Sequence, residues 1–258
     1  MFPDKLISTH RLIKPYIHIT PVLTSSFINS LTGNSIFFKC ENFQKVGAFK
    51  YRGATSFILH NREKINGIVA THSSGNHAQA LALAAKVQNL KAHIVMPKNA
   101  PKVKIEAVKG YGAEITFCEP NLDAREKTLC EVAGSTGALF VPPYNHEDII
   151  AGQASATMEL IKSHELDYII APVGGGGLLS GTALAAKNFS KAKVIGAEPE
   201  GAADAEASFK KGKLVPSKNP KTIADGLLTS LGDITFHYIS EYVDDIWLAD
   251  EKLIVMAM

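Results

Sequence analysis

Between residues 67 and 197 the chain alternates short apolar runs with stretches of helical character, and that rhythm restricts it to few architectures. Residues 67–70 are a short apolar run, 79–88 are rich in alanine and leucine and read as a helix, and 92–96 form a strand closed by Pro97. The pattern continues with a helix over 102–109 stopped at Gly110, a strand over 114–117, a helix over 122–133, and a strand over 139–141 closed by Pro142 and Pro143. It then starts afresh with a helix over 150–162, a strand over 168–173, a helix over 178–187 and a strand over 193–197. Strands separated by helices pair in parallel and are covered on both faces, so the fold class is α/β with parallel sheets flanked by helices. Upstream, 5–18 read as an amphipathic helix, and 20–23 turn the chain into an extended segment. The double proline followed by Tyr144, Asn145, His146 and Glu147 marks a domain crossing. A smaller α/β domain is therefore expected over 62–144, inserted into a larger one built from 1–61 and 145–258.

Two turns of this pattern carry more than structure. Gly174, Gly175, Gly176 and Gly177 follow a strand, and Leu178 opens the next helix. Glycines let the backbone turn tightly and bring several N–H groups onto one anion, while the helix adds its positive end, so a phosphate fits there. A ligand-free turn is the plain alternative, although consecutive glycines carry an entropic cost. The run Thr71-His72-Ser73-Ser74-Gly75-Asn76-His77 repeats the logic after the 67–70 strand. Hydroxyls and an amide at a helix N-terminus cap free N–H groups and can hold a carboxylate or a ring oxygen. A dinucleotide site is the rival for the glycine loop, with Gly175-x-Gly177-x-x-Ser180 near the fingerprint and Glu198 placed for a ribose hydroxyl. Its third glycine is missing, and it leaves Lys50 and the 73–77 loop without a role.

Lys50 follows the apolar run 36–38 and precedes a helix-like segment over 54–60, which puts it at a loop-to-helix junction. A lysine that acts as nucleophile or base must be neutral at working pH, through low solvation or nearby positive charge. Lys45 and Arg52 are the expected charges; Phe43, Val46, Ala48 and Phe49 are the expected dry wall. A basic helix start on the surface is the alternative for this stretch alone. Together, the lysine, the glycine loop and the polar helix N-terminus ask for a small cofactor with a phosphate and an aldehyde, which is pyridoxal 5′-phosphate.

Composition narrows the rest. With 258 residues, 46% hydrophobic and 20% charged, the chain suits one large or two medium globular domains. A net charge of +2 with dispersed lysines excludes nucleic acid or an anionic membrane as the expected partner. Cys40, Cys118 and Cys130 lack metal or redox spacing and read as reduced residues. No apolar run approaches membrane-spanning length and the N-terminus lacks a signal pattern, so a cytoplasmic protein is expected.

The lysine stretch, Ser73-Ser74-Gly75-Asn76-His77 and Gly174 to Leu178 closely resemble the serine/threonine dehydratase and serine racemase family, fold-type II enzymes with the two-domain tryptophan synthase β-like fold. The match runs over essentially the whole chain. The resemblance implies that Lys50 holds the cofactor as a Schiff base and takes the substrate α-proton, with Phe49 beside it. Gly174, Gly175, Gly176, Gly177 and Leu178 correspond to the phosphate cradle, Asn76 to the residue touching the cofactor 3-hydroxyl, and Gly226 to a glycine beside the ring. Ser73, Ser74, Asn76 and His77 correspond to the substrate loop. Glu198, Ala202 and Asp204 correspond to a site for Mg²⁺, Mn²⁺ or Ca²⁺, an oxygen-only donor set that suits a hard cation. Two solvated carboxylates in a loop are the alternative. Arg125 aligns with a family arginine near the substrate, yet its own neighbourhood reads as a solvated helix face, and that is the expectation adopted. A homodimer with a nucleotide effector is also implied.

Two activities begin with the same proton abstraction. β-Elimination from L-threonine or L-serine gives a 2-oxo acid and ammonia and is the expected main reaction, with 3-hydroxyaspartate a further substrate of the same type. Racemisation requires a second acid–base group on the opposite face, for which Ser74 is the candidate. After residues 251–258, which start a helix, family members continue with a segment that carries the group facing the pyridine nitrogen. No residue here takes that role, so a cofactor-binding protein with impaired catalysis is the third expectation.

Overall fold

The computed structural model describes residues 1–258. Seven of the strands form two parallel sheets. The first has the order Glu114–Cys118, Lys91–Pro97, Ile68–His72, Leu139–Phe140. The second has the order Tyr168–Pro172, Lys193–Pro199, Asp245–Ala249. A two-residue antiparallel pair, Val22–Leu23 with Phe38–Lys39, lies outside both. The strand-and-helix rhythm of the sequence is thus realised as parallel pairing, with helices Asn76–Val87, Leu122–Thr136 and Gly177–Phe189 in the crossovers.

Several boundaries differ from expectation for identifiable reasons. The first helix spans Pro3–Ile13 and stops early, because Pro15 cannot continue it. The helix expected from residue 54 begins at Lys50 itself and runs to His60, so the lysine is a first-turn residue. Helices Ser26–Thr32, Asp204–Lys211 and Asp233–Tyr242 and the strand Asp245–Ala249 were not expected from the pattern. No helix is long and apolar enough to cross a membrane.

Three helices meet through glycines, and this fixes the site. Lys50–His60 packs on Glu147–Ser163, which packs on Gly177–Phe189. A Cβ on Gly152 would lie 2.7 Å from the Arg52 carbonyl oxygen and 2.8 Å from the Gly53 Cα; one on Gly181 would lie 2.6 Å from the Ala154 nitrogen. Backbones therefore touch directly, and the helix that starts at Lys50 is held at a set distance from the helix that starts at Gly177. Large apolar side chains close the interior around this stack, with Tyr51, Ile58, Ile149 and Leu184 all essentially inaccessible.

Candidate active site

All the polar turns singled out in the sequence lie at the carboxyl ends of parallel strands, where α/β folds place their ligands. The 73–77 loop follows Ile68–His72, Pro143 and Tyr144 follow the neighbouring strand Leu139–Phe140, and the glycine run follows Tyr168–Pro172.

Lys50 reaches this junction from its helix start. Its Nζ donates to the Pro143 carbonyl at 2.7 Å and lies 5.4 Å from the Phe49 ring centroid and 5.7 Å from that of Tyr144. Burial alone lowers its pKa from 10.5 to about 8. The expected cationic neighbours do not contribute. Arg52 is fully buried and turned into an ion cluster with Glu41 and Glu159, Lys45 sits over the Tyr51 ring, and Phe43 is more exposed than buried. Of the expected dry wall Phe49 lies over the amine, and Tyr144, which was not expected, joins it. The loop before the lysine is strained, since Val46 has φ 59°, an uncommon conformation for a β-branched residue, and Gly47 follows with φ 68°. That pair of left-handed residues turns the chain into the helix.

Gly174, Gly175 and Gly176 donate no backbone hydrogen bond, and neither do Gly177 and Leu178 at the helix start. Five consecutive N–H groups of one turn thus have no protein acceptor. Gly176 has φ 86°, which only glycine adopts freely, and a Cβ there would strike Leu231, Thr235 and Ile239. The turn Asp225–Leu227 covers the other side: a Cβ on Gly174 would lie 3.0 Å from the Leu227 Cα and 3.3 Å from the Gly226 carbonyl oxygen. Gly226 is therefore beside the glycine run, with open space at its own Cα.

In the 73–77 loop, the Ser73 hydroxyl accepts from the Gly75 N–H at 3.2 Å. The Ser74, Asn76 and His77 N–H groups have no backbone acceptor. Asn76 is exposed at the helix start, whereas His77 is 3% exposed and its Nε2 donates to the Val141 carbonyl at 3.2 Å. Burial, and then the nearby Lys50 charge, push the His77 pKa down to about 3, so the ring is neutral and structural in placement. Arg125 departs from its expected solvated face: it is half-buried, and its Nε is inaccessible without a partner.

Glu198 and Asp204 are 1% and 6% exposed, not solvated. Each Glu198 oxygen accepts one backbone N–H, from Ala205 and Glu206 at 2.8 Å, and Asp204 accepts from the Leu231 N–H at 3.2 Å. Burial raises Glu198 to about 7, with Asp204 adding repulsion, and burial raises Asp204 to about 6; no cationic side chain offsets either. Ala202 ends the short turn before Asp204. Both buried carboxylates thus rest on backbone N–H donors, with no cationic partner.

Sequence reasoning missed Tyr144, Pro143 and the Arg52 cluster. Tyr144 carries no motif signature and was read only as part of a polar crossing. The one available signal was its position directly after the double proline.

A lysine at a helix start and a glycine turn whose N–H groups have no acceptor, both against the Tyr144 ring, define an α/β enzyme built for a phosphate-bearing carbonyl cofactor. The chain belongs to the pyridoxal-phosphate dependent enzyme family, whose pattern matches residues 13–258. It is 46% identical to the β-hydroxyaspartate dehydratase of Paracoccus denitrificans, over 99% of this chain and 82% of that protein. It is 48% identical to the serine racemase of Arabidopsis thaliana, over 96% and 76% respectively. The structure of maize serine racemase superposes with a TM-score of 0.96 at 44% identity, covering 99% of this chain and 78% of that one. The fold-type II resemblance of the sequence therefore holds.

Proposed function

We propose that this protein is an ammonia-lyase that removes water and then ammonia from a small hydroxy amino acid, using pyridoxal 5′-phosphate. The carrying observation is Lys50: a part-buried amine with a pKa near 8, on the Pro143 carbonyl and against the Tyr144 ring that also meets the glycine turn. The bound cofactor supplies an electron sink for the carbanion formed at the substrate α-carbon. Lys50 would hold it, and its amine, with a depressed pKa that suits a base near neutral pH, would take the α-proton. The N–H groups of Gly174 to Leu178 bind the phosphate, and Gly226 and Phe49 border the ring. Ser73, Ser74, Asn76 and the His77 N–H receive the substrate carboxylate and the cofactor 3-hydroxyl, while the buried His77 ring holds their helix to Val141.

Substrates are L-serine, L-threonine and 3-hydroxyaspartate; the dehydratase relative supports the last. Serine racemisation is the second reading. The Ser73 hydroxyl is engaged by Gly75 and that of Ser74 is not, which leaves Ser74 able to exchange a proton. Glu198, Asp204 and the Ala202 carbonyl hold a divalent cation. The test adds each amino acid to cofactor-loaded protein and measures 2-oxo acid and the D-enantiomer. Oxo acid formation lost in Lys50→Ala supports the lyase reading; D-serine formation lost in Ser74→Ala supports the racemase. A visible cofactor band with neither product would leave a binding protein only.

A further inference from the structure

Tyr144 touches both the lysine and the glycine turn, yet no motif contains it. Pro143 and Tyr144 supply two of the three contacts to the Lys50 amine, the carbonyl at 2.7 Å and the ring centroid at 5.7 Å, with Phe49 the third. The same ring lies on the glycine turn: a Cβ on Gly175 would fall 2.4 Å from Tyr144 Cδ1 and 2.5 Å from Cε1, and one on Gly177 would fall 3.0 Å from Tyr144 Cβ. Any planar group that joins the glycine turn to the lysine must run along this ring.

The residue after Tyr144 is also anchored. Asn145 Oδ1 accepts from the Ile234 and Thr235 N–H groups at 3.0 and 3.3 Å, and its Nδ2 donates to Asp233 at 2.7 Å. Thr235 Oγ1 in turn donates to the Gly175 carbonyl at 2.9 Å. Backbone, ring and glycine turn thus form a closed circuit through the start of the helix Asp233–Tyr242.

On the cofactor reading above, we propose that Tyr144 is a positioning residue: its ring, seated on Gly175, sets the separation between the Lys50 amine and the phosphate turn. Gly175 is then glycine because the ring occupies the space a side chain would need. Its φ is not left-handed, so an alanine there acts through space alone.

A double-mutant cycle tests this contact. Cofactor affinity is titrated by absorbance for the wild type, Gly175→Ala, Tyr144→Ala and the double variant. Gly175→Ala is expected to weaken binding by about tenfold or more when Tyr144 is present, and by less than about threefold when Tyr144 is already alanine. Equal losses in both backgrounds would overturn the proposal while leaving the cofactor assignment intact. Loss of the visible band only in Lys50→Ala tests that assignment separately.

A second readout uses cofactor-free protein, in which the pH dependence of Lys50 acylation is followed by peptide mass analysis. Tyr144→Ala should move its midpoint upward toward that of ordinary lysines, and Tyr144→Phe, which keeps the ring, should not. A midpoint unchanged in Tyr144→Ala would count against the ring as a wall of the lysine site.

Discussion

Arg52 and Glu159 meet fork to fork inside the protein, with Nη1 donating to Oε1 at 2.7 Å and Nη2 to Oε2 at 2.9 Å. Arg52 also grips Glu41 through Nε at 2.7 Å and Nη2 at 2.8 Å, and Lys39 adds a bond of 2.6 Å to Glu159. Glu41 opens the loop that ends in Lys50, and Glu159 lies on the central helix, so one guanidinium ties the lysine's loop to the core. Burial pushes the Glu159 carboxyl up, but His10 close by at 3.7 Å, hydrogen bonds from Arg52 and Lys39, and the Arg52 charge hold it at about 2.

Removing Arg52 leaves two carboxylates with most of their compensation gone. Arg52→Met should cost about 3–5 kcal/mol, which for a chain of this size corresponds to roughly a 10 °C fall in Tm. Arg52→Lys should recover only part of this, because an ammonium cannot serve both carboxylates in the plane of the fork. Thermal unfolding of the three proteins at pH 7 checks both statements; a Lys variant equal to wild type would remove the bidentate geometry from the explanation.

The glycine contact between helices gives a second prediction. Gly152→Val places two methyl groups against the Arg52 carbonyl and Gly53, where even a Cβ would sit under 3 Å from backbone atoms. Separation of the helices should cost about 2–3 kcal/mol, with weaker cofactor retention because Lys50 moves relative to the glycine turn. Gly134→Ala is the control. It lies in a helix with no atom within 4 Å of the added methyl, and should be neutral or stabilise by roughly 0.5–1 kcal/mol.

The pH dependence of stability should show His77. Its pKa is lowered from 6.5 to about 3 in the folded state, so the unfolded chain binds the extra proton between those values. This contribution is fully present above pH 6.5 and is lost as pH falls toward 3, on the order of a few kcal/mol in total. His77→Gln, whose amide can still donate to Val141, should flatten the denaturation midpoint between pH 6.5 and 4. Midpoints in urea across that range decide it, and an unchanged slope in the variant would assign the acid loss to other groups.

Elements governed by local periodicity were legible in the sequence, and those governed by distant partners were not. The 76–87 and 177–189 helices follow glycine turns and carry alanine-rich faces, so pattern and structure agree. The strand Asp245–Ala249 has one buried residue, Ile246, against three exposed ones, and exists because it pairs with Lys193–Pro199. Lys50 and the glycine run were readable because each needs a particular residue type. Arg52 was misread as a charge beside Lys50, since its two carboxylate partners lie 11 and 107 residues away. Tyr144 was unreadable for the same reason: its contacts are all made by the fold.

The buried carboxylates bear on the glycine turn through a short path. Asp204 accepts the Leu231 N–H, the Leu231 side chain packs against Gly176, and Thr235 on the following helix bonds the Gly175 carbonyl. A divalent cation bound by Glu198, Asp204 and the Ala202 carbonyl would neutralise two carboxylates that now repel each other and would stiffen the turn that supports the phosphate cradle. Mg²⁺ or Mn²⁺ at about a hundredfold excess over its Kd should therefore raise stability by about 2.7 kcal/mol, read as a Tm increase of roughly 5–10 °C. Cofactor should also dissociate more slowly in its presence. Glu198→Gln and Asp204→Asn should each abolish the metal-dependent shift, whether or not they change the metal-free Tm. A shift that survives both substitutions would place the cation elsewhere, and no shift in the wild type would leave Glu198 with its other visible task, capping the helix Asp204–Lys211.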